Sequence, residues 1–191
     1  MKADVLAARL PEGETDERLT ARIDAAVERA LADERVVGAV IVVARDGRVI
    51  HRRAYGLADR EAGTPMRVDH VFRLASVTKP IVSAAAMALV ERGALALDEP
   101  VTNWLPDFRP RLADGRAPTI TLRQLITHTA GLTYGFFQPS DGPYHRAGVS
   151  DGLDQPGLAM DEELRRIASA PLVDEPGRSW GYSVALDVLG E

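Results

Sequence analysis

An Asp-Gly dipeptide at positions 46 and 47 separates two runs of apolar and β-branched residues. The run before it, 36–44, is a nearly unbroken series of Val, Ile, Ala and Gly, and the run after it spans 48–55. Asp-Gly supplies the two residues of positive φ that a two-residue antiparallel turn requires. The sequence therefore predicts a β-hairpin, and with it an antiparallel sheet.

The remaining sequence is dominated by helical patterns, so the predicted fold class is α+β. Ahead of the hairpin, after Thr15, apolar residues recur at helical spacing on one face: Leu19, Ile23, Val27, Ala30 and Leu31. Four more helices are predicted, at 76–92, 121–127, about 161–169, and from about 182 through 191. The turn-rich segments 56–70 and 134–160 are predicted to be an irregular connection and a long loop.

Two features of this layout suggest a fold larger than 191 residues. A single two-stranded hairpin with so apolar a first strand is marginally stable by itself. The pattern of the last helix also reaches Glu191 without a stop signal. We therefore expect the chain to be the N-terminal part of a larger fold, with a further segment or a second chain supplying the missing strands of the sheet.

Composition excludes several classes of function. The chain has no Cys, which removes disulfides, thiolate nucleophiles and cysteine-ligated metals. Its formal net charge of −5 argues against a nucleic-acid partner. No apolar run is long enough to span a bilayer, and the N-terminal residues lack a secretory pattern, so we expect a cytoplasmic protein with no membrane partner. No His or carboxylate cluster has metal-ligand spacing, and we expect no metal and no cofactor.

Lysine is scarce in this chain, and its one internal copy follows a serine by three residues. Only Lys2 and Lys79 are Lys among 23 basic residues, and Ser76 with Lys79 forms Ser-x-x-Lys. If a helix starts at Ser76, residues three apart share a face, and the Lys79 amine can take the proton of a Ser76 nucleophile. Pro80 fits such a helix because proline is tolerated in the first turn. The competing interpretation is a Ser N-cap followed by a surface Lys.

A second candidate is Tyr182, which follows the turn-forming segment 176–181 at the predicted start of the last helix. A phenol close to an ammonium group can be stabilised as phenolate and can then carry protons. Taken alone, the pattern fits an aromatic packing residue better. Beside Ser76 and Lys79, Tyr182 becomes a candidate proton carrier.

Another serine, Ser150, satisfies Gly-x-Ser-x-Gly, the pattern of the α/β-hydrolase nucleophile elbow. That elbow needs a buried strand before the serine, a helix after it, and a later His. The flanks here are loop-like, and all four His precede Ser150, so we predict that Ser150 is not a nucleophile. His128, at the end of a predicted helix, is interpreted as a hydrogen-bonding residue rather than as a base or metal ligand.

These stretches together resemble the serine β-lactamase-like superfamily of class C β-lactamases and penicillin-binding proteins, and most closely its family VIII carboxylesterases. The likeness is carried by 37–40, 56–61, 72–80, 97–101, 125–132 and 176–189. It implies a β-lactamase/transpeptidase-like fold, in which an antiparallel sheet flanked by helices pairs with a mostly helical domain. For this chain it implies that 1–75 form the N-terminal helix and hairpin, that 76–191 form the helical domain, and that the C-terminal strands are absent.

The resemblance also implies roles for individual residues. Ser76 would be the nucleophile, Lys79 its activating base and Tyr182 the second proton carrier. Tyr134 resembles an aromatic residue on the substrate pocket wall, and Asp187 resembles a supporting position near the site. Val184 stands where class C β-lactamases have an Asn that binds the lactam side-chain amide.

The sequence thus predicts a serine carboxylesterase that hydrolyses short-chain acyl esters through an acyl-serine intermediate, with a small-molecule ester as its partner. One alternative is a β-lactamase or D-alanyl-D-alanine peptidase relative with weak lactam turnover. Val184 weakens this interpretation because valine cannot bind the lactam side-chain amide. The other is a non-catalytic ligand-binding or structural fragment, since the strand that completes the family's oxyanion hole lies outside these residues.

Overall fold

The computed structural model describes residues 16–153 and 158–191. The chain divides after Arg73 into two compact units. The first consists of a helix and a small antiparallel sheet, and the second is mostly helical. The presence of helices together with an antiparallel sheet confirms the α+β class. Thr15, placed ahead of the first helix by the sequence, lies outside the described residues.

The first unit contains the predicted hairpin. Strands β1 (Gly38–Arg45) and β2 (Arg48–Asp59) pair antiparallel, and Ala39 lies opposite Tyr55. The turn residues Asp46 and Gly47 have φ of 50° and 73°, as a type I′ turn requires. An irregularity at Val43/Ala44 shifts the register beside the turn.

The sheet is longer than the sequence indicated, because the connection predicted for 56–70 is partly extended. Strand β2 continues through Asp59, and a short third strand, β3 (Thr64–Pro65), pairs with it in the order β1-β2-β3. Gly56 permits this continuation, because it has φ of 65° and a Cβ there would lie 2.4 Å from the Val37 carbonyl oxygen. The hydrophobic pattern could not show this, since two-residue strands carry no periodicity.

Helix α1 (Asp16–Ala32) packs against β2 through the predicted apolar face and through polar contacts. Asp24 links the two elements, accepting a hydrogen bond from Tyr55 Oη at 2.5 Å and pairing with Arg53 at 2.6 Å. Burial and the neighbouring Asp24 carboxylate raise the pKa of Tyr55 to about 12, so the phenol keeps the proton that it donates.

The second unit holds the core. Its helices are α2 (Thr78–Glu91), α3 (Leu122–Ile126), α4 (Pro143–Ala147), α5 (Met160–Ser169) and α6 (Ala185–Leu189). Leu125, Tyr144, Ile167, Val184 and Val188 are among the most deeply buried residues, each at most 1% exposed. Helix α6 packs against both α2 and α3, so residues that precede α6 are fixed relative to those helices.

Two helix predictions and one loop prediction need correction. The helix predicted from Ser76 begins at Thr78, preceded by a 3-10 turn at Ala75–Val77. The last helix begins at Ala185 rather than near Tyr182, and it ends at Leu189 with Gly190 as its C-cap instead of running through Glu191. The loop predicted for 134–160 contains α4, whose five residues are too few to show a helical repeat.

The helix α3 follows its sequence signals closely. Thr121 caps it through a complete capping box, accepting from the Gln124 backbone while the Gln124 side chain accepts from the Thr121 backbone. None of the helices within 16–153 and 158–191 is long and apolar enough to cross a membrane.

Candidate active site

Ser76 lies in the 3-10 turn that leads directly into α2, and its side chain is exposed. The residue before it, Ala75, has φ of 46°, in the left-handed region that a residue with a Cβ rarely occupies. Strained backbone of this kind persists where the surroundings hold it and is common at functional sites. Pro80 is the third residue of α2, within the first turn where proline is tolerated.

Lys79 lies one turn after Ser76 and faces two tyrosines. Its Nζ is 5.2 Å from the centroid of the Tyr182 ring and 5.5 Å from that of Tyr134. The two rings are 5.5 Å apart. Two of the tyrosines singled out in the sequence therefore lie around the Lys79 amine.

The electrostatic surroundings of Lys79 favour its charged form. Burial acts to lower its pKa, but a hydrogen bond with Tyr134 and the charges of Tyr134, Asp187 and Tyr182 outweigh it, so the pKa of Lys79 is raised. Burial also raises the pKa of Tyr134, although Lys79 opposes the shift. The site thus favours an ammonium group at Lys79 beside the protonated phenol of Tyr134.

Asp187 brings a carboxylate to the same cluster. Burial raises its pKa, against the opposing effects of the Lys79 charge and a hydrogen bond with Tyr134. Its Oδ2 is buried without a hydrogen-bond partner. Asp187 therefore supplies negative charge near Lys79 at a cost in desolvation.

A raised carboxyl pKa means that the folded protein binds this proton more tightly than the unfolded chain does. Stability should accordingly rise as pH falls through the folded-state pKa of Asp187. We expect Asp187→Asn to show a smaller rise than the wild type when melting temperature is measured from pH 8 to pH 4. The exposed Asp107→Asn should keep the wild-type profile. Parallel profiles for Asp187→Asn and the wild type would contradict this assignment.

Backbone hydrogen bonds explain how Tyr134 and Tyr182 come together. The segment 128–133 runs beside 173–184, and four N–H groups of the second segment donate to carbonyls of the first: Val173 to Gly131, Gly177 to Thr129, Gly181 to His128 and Val184 to Thr133. The contact is close, since a Cβ at Gly131 would lie 2.1 Å from the Asp174 carbonyl oxygen. Glycine at 131 is thus required by this close approach.

Exposed aromatic side chains extend from this cluster. Phe136 stacks on Tyr134 with ring centroids 4.7 Å apart, and Phe137 meets Phe136 edge-on at 4.6 Å. Phe136 and Phe137 are 52% and 61% exposed, and Trp180 is 68% exposed. None of these residues was predicted from the sequence, although two adjacent Phe in a turn-rich segment were a visible signal. They provide apolar surface next to Lys79 and the tyrosines.

The second serine motif has a different environment. Ser150 Oγ accepts a hydrogen bond from the Gly152 backbone at 2.9 Å, and the Ser150 backbone N–H donates to Glu163. Ser150 thus stabilises a turn, and among the residues that the structure describes the next helix begins at Met160. Within the part of the chain that the structure describes, no group of three or more His, Asp or Glu side chains is placed to hold a metal ion.

Comparison with known proteins yields one family and several relatives. The family model described as Beta-lactamase matches residues 23–191. The chain is 59% identical to Esterase EstB of Burkholderia gladioli over 172 residues, which cover 90% of this chain and 44% of that esterase. The chain therefore spans less than half the length of this curated relative.

Solved structures show the same fold. EstCE1, described as a hydrolase with promiscuous acyltransferase activity, superposes with a TM-score of 0.89 at 47% identity, over 92% of this chain and 46% of EstCE1. A class C β-lactamase superposes with a TM-score of 0.68 at 19% identity, over 94% of this chain and 45% of the lactamase. These matches confirm the β-lactamase/transpeptidase-like fold and the resemblance to carboxylesterases of that superfamily.

Proposed function

This chain belongs to the Beta-lactamase family, and we propose that it carries the nucleophile and proton-transfer residues of a serine carboxylesterase acting on short-chain acyl esters. The observation that carries the proposal is the placement of the Lys79 amine against Tyr182 and Tyr134, one turn from the exposed Ser76. A serine one turn along the chain from groups that can move its proton fits the arrangement required of an oxygen nucleophile. The identity to Esterase EstB supports esters as the substrate class.

In the proposed reaction, Tyr182 acts as a phenolate that the Lys79 ammonium stabilises. Ser76 Oγ forms a bond to the ester carbonyl carbon while its proton passes to the Tyr182 phenolate oxygen. The tetrahedral intermediate then expels the alcohol, which takes the proton from Tyr182 and leaves acyl-Ser76. Water attacks the acyl carbon in the second half, and Tyr182 passes the water proton back to Ser76. Each half releases one product, the alcohol and then the acid.

Lys79 has a revised role in this scheme. The sequence-based hypothesis made it the activating base, which requires a neutral amine. Its raised pKa supports an ammonium instead, which stabilises the Tyr182 phenolate that accepts the proton of Ser76. Asp187 and Tyr134 would then keep this ammonium in place.

The substrate preference follows from the surfaces around the cluster. Phe136, Phe137 and Trp180 offer apolar contact to an acyl or alkyl chain. Val184 is 1% exposed and packs in the core, so that position presents no polar group to the amide of a lactam side chain. Both features favour an ester over a β-lactam.

A direct comparison of two chromogenic substrates tests this preference. We expect kcat/KM for a butyrate ester to exceed that for a cephalosporin by about 100-fold or more, because the Val184 side chain cannot form a hydrogen bond with the side-chain amide of the lactam. Ser150→Ala serves as the matched serine control and should hydrolyse the ester at the wild-type rate. Faster turnover of the cephalosporin, or loss of ester turnover in Ser150→Ala, would overturn the proposal.

A further inference from the structure

His128 lies immediately beside the candidate proton carrier, and the reaction described above gives it no role. It follows the short helix α3 and adopts φ of 55°, a left-handed conformation unusual for a residue with a side chain. Its ring centroid is 4.9 Å from that of Tyr182 and 6.3 Å from that of Trp180. The imidazole therefore packs directly against the Tyr182 ring.

The polar groups of His128 hold the residues on both sides of Tyr182. Its carbonyl oxygen accepts the Gly181 N–H at 2.9 Å. Its Nδ1 accepts the Ser183 N–H at 3.3 Å and lies 3.1 Å from Ser183 Oγ. His128 thus contacts the residue before Tyr182, the residue after it and the Tyr182 ring itself.

These contacts determine the protonation state of the imidazole. A backbone N–H can only donate, so Nδ1 must carry a lone pair, and the ring is the neutral tautomer protonated on Nε2. Burial lowers the pKa of His128, and the positive charge of Lys79 lowers it further. A proton on Nδ1 would break the contact with Ser183 and add a second positive charge beside Lys79.

We propose that neutral His128 is a positioning residue that holds Tyr182 at the distance from Lys79 and Ser76 that proton transfer needs. The proposal rests on the function proposed above for Tyr182. It follows from three contacts to consecutive residues, at Gly181, Tyr182 and Ser183. Small displacements of a proton-transfer group reduce turnover more than substrate binding, since the group acts on the reacting atoms.

Two substitutions separate positioning from simple packing. His128→Ala removes the acceptor for Ser183 and the ring beside Tyr182. His128→Asn keeps an acceptor oxygen near the Nδ1 position and tolerates the left-handed backbone. His145→Asn, at an exposed position of α4, is the matched control.

The kinetic readouts are kcat and KM for the butyrate ester across pH. We expect His128→Ala to lower kcat by about tenfold or more with KM little changed, because Tyr182 would no longer be held in place. His128→Asn should recover part of the lost kcat. Its kcat should also lack the decrease at acid pH that protonation of His128 causes in the wild type. An equal loss in both variants, or wild-type kcat in His128→Ala, would overturn the proposal.

Amide hydrogen exchange provides a readout that is independent of esterase activity. The Ser183 amide should lose protection in His128→Ala, keep it in His128→Asn, and be unaffected in His145→Asn. If the wild type hydrolyses no ester but shows this exchange pattern, the proposed function fails while the positioning contact stands. Unchanged Ser183 protection in His128→Ala would refute the contact itself, whatever the activity.

Discussion

Replacing Ser76 with Ala should abolish ester hydrolysis, with kcat falling by about 10⁴-fold or more. The substitution removes the only atom that forms the acyl bond in the proposed reaction, and no neighbouring group of the site can replace it. Ser76 is exposed, so the melting temperature should stay close to that of the wild type. Steady-state hydrolysis of a chromogenic butyrate ester, together with thermal unfolding, measures both quantities.

Ser150→Ala provides the control because it removes the serine of the Gly-x-Ser-x-Gly motif, the other candidate nucleophile in the sequence. Ser150 Oγ accepts the Gly152 N–H in a turn, so this variant should lose a little stability and no activity. Substantial turnover by Ser76→Ala would show that a different residue forms the acyl-enzyme. The same holds if Ser150→Ala is the inactive variant.

The second large effect is expected for Lys79→Met, which should lower kcat by about 10³-fold. Methionine fills a similar volume but has no charge to stabilise the Tyr182 phenolate that accepts the proton of Ser76. Lys79→Arg keeps a cation that cannot lose its proton under ordinary conditions. If the ammonium form of Lys79 is the active one, Lys79→Arg should retain more activity than Lys79→Met.

The comparison between these two variants tests the assignment of roles. A base must lose its proton, so an arginine that restores part of the turnover would exclude proton acceptance by residue 79. Equal inactivity of both variants, together with full activity of Tyr182→Phe, would contradict the proposed transfer to Tyr182. Lys79 would then be the base, as the sequence-based hypothesis had it.

Local signals predicted much of this fold correctly. Asp46-Gly47 predicted the hairpin because its two residues adopt the positive φ of a tight turn. The helix predicted at 121–127 is α3, whose start is fixed by a capping box between the neighbouring residues Thr121 and Gln124. Such signals depend on a few adjacent positions, which a single sequence displays directly.

The elements that the sequence missed depend on tertiary contacts. Strand β3 has two residues and α4 has five, too few to generate a periodic pattern. The segment ahead of α6 forms no helix, and there His128 bonds to the backbone of Ser183, 55 residues further along the chain. No local pattern reports a partner at that distance.

The residues of the candidate site likewise fall into those that the sequence could indicate and those that depend on tertiary contacts. Ser76 and Lys79 could be selected because their spacing is a property of one helical turn. Tyr182 was selected from its place after a turn, Tyr134 and Asp187 were selected through the family resemblance, and the structure places all three around Lys79. The positioning contacts of His128 and the exposed Phe136 and Phe137 were not predicted, because they become visible only when the segments 128–137 and 173–184 lie side by side.

Covalent labelling of the protein with a fluorophosphonate tests the central claim most directly, because the reagent phosphonylates an activated serine and needs no knowledge of the natural ester. Intact mass followed by peptide mapping should show a single adduct on Ser76. Ser76→Ala should remain unlabelled, and Ser150→Ala should label like the wild type. An adduct on Ser150, or no adduct on Ser76 in the folded wild type, would contradict the account.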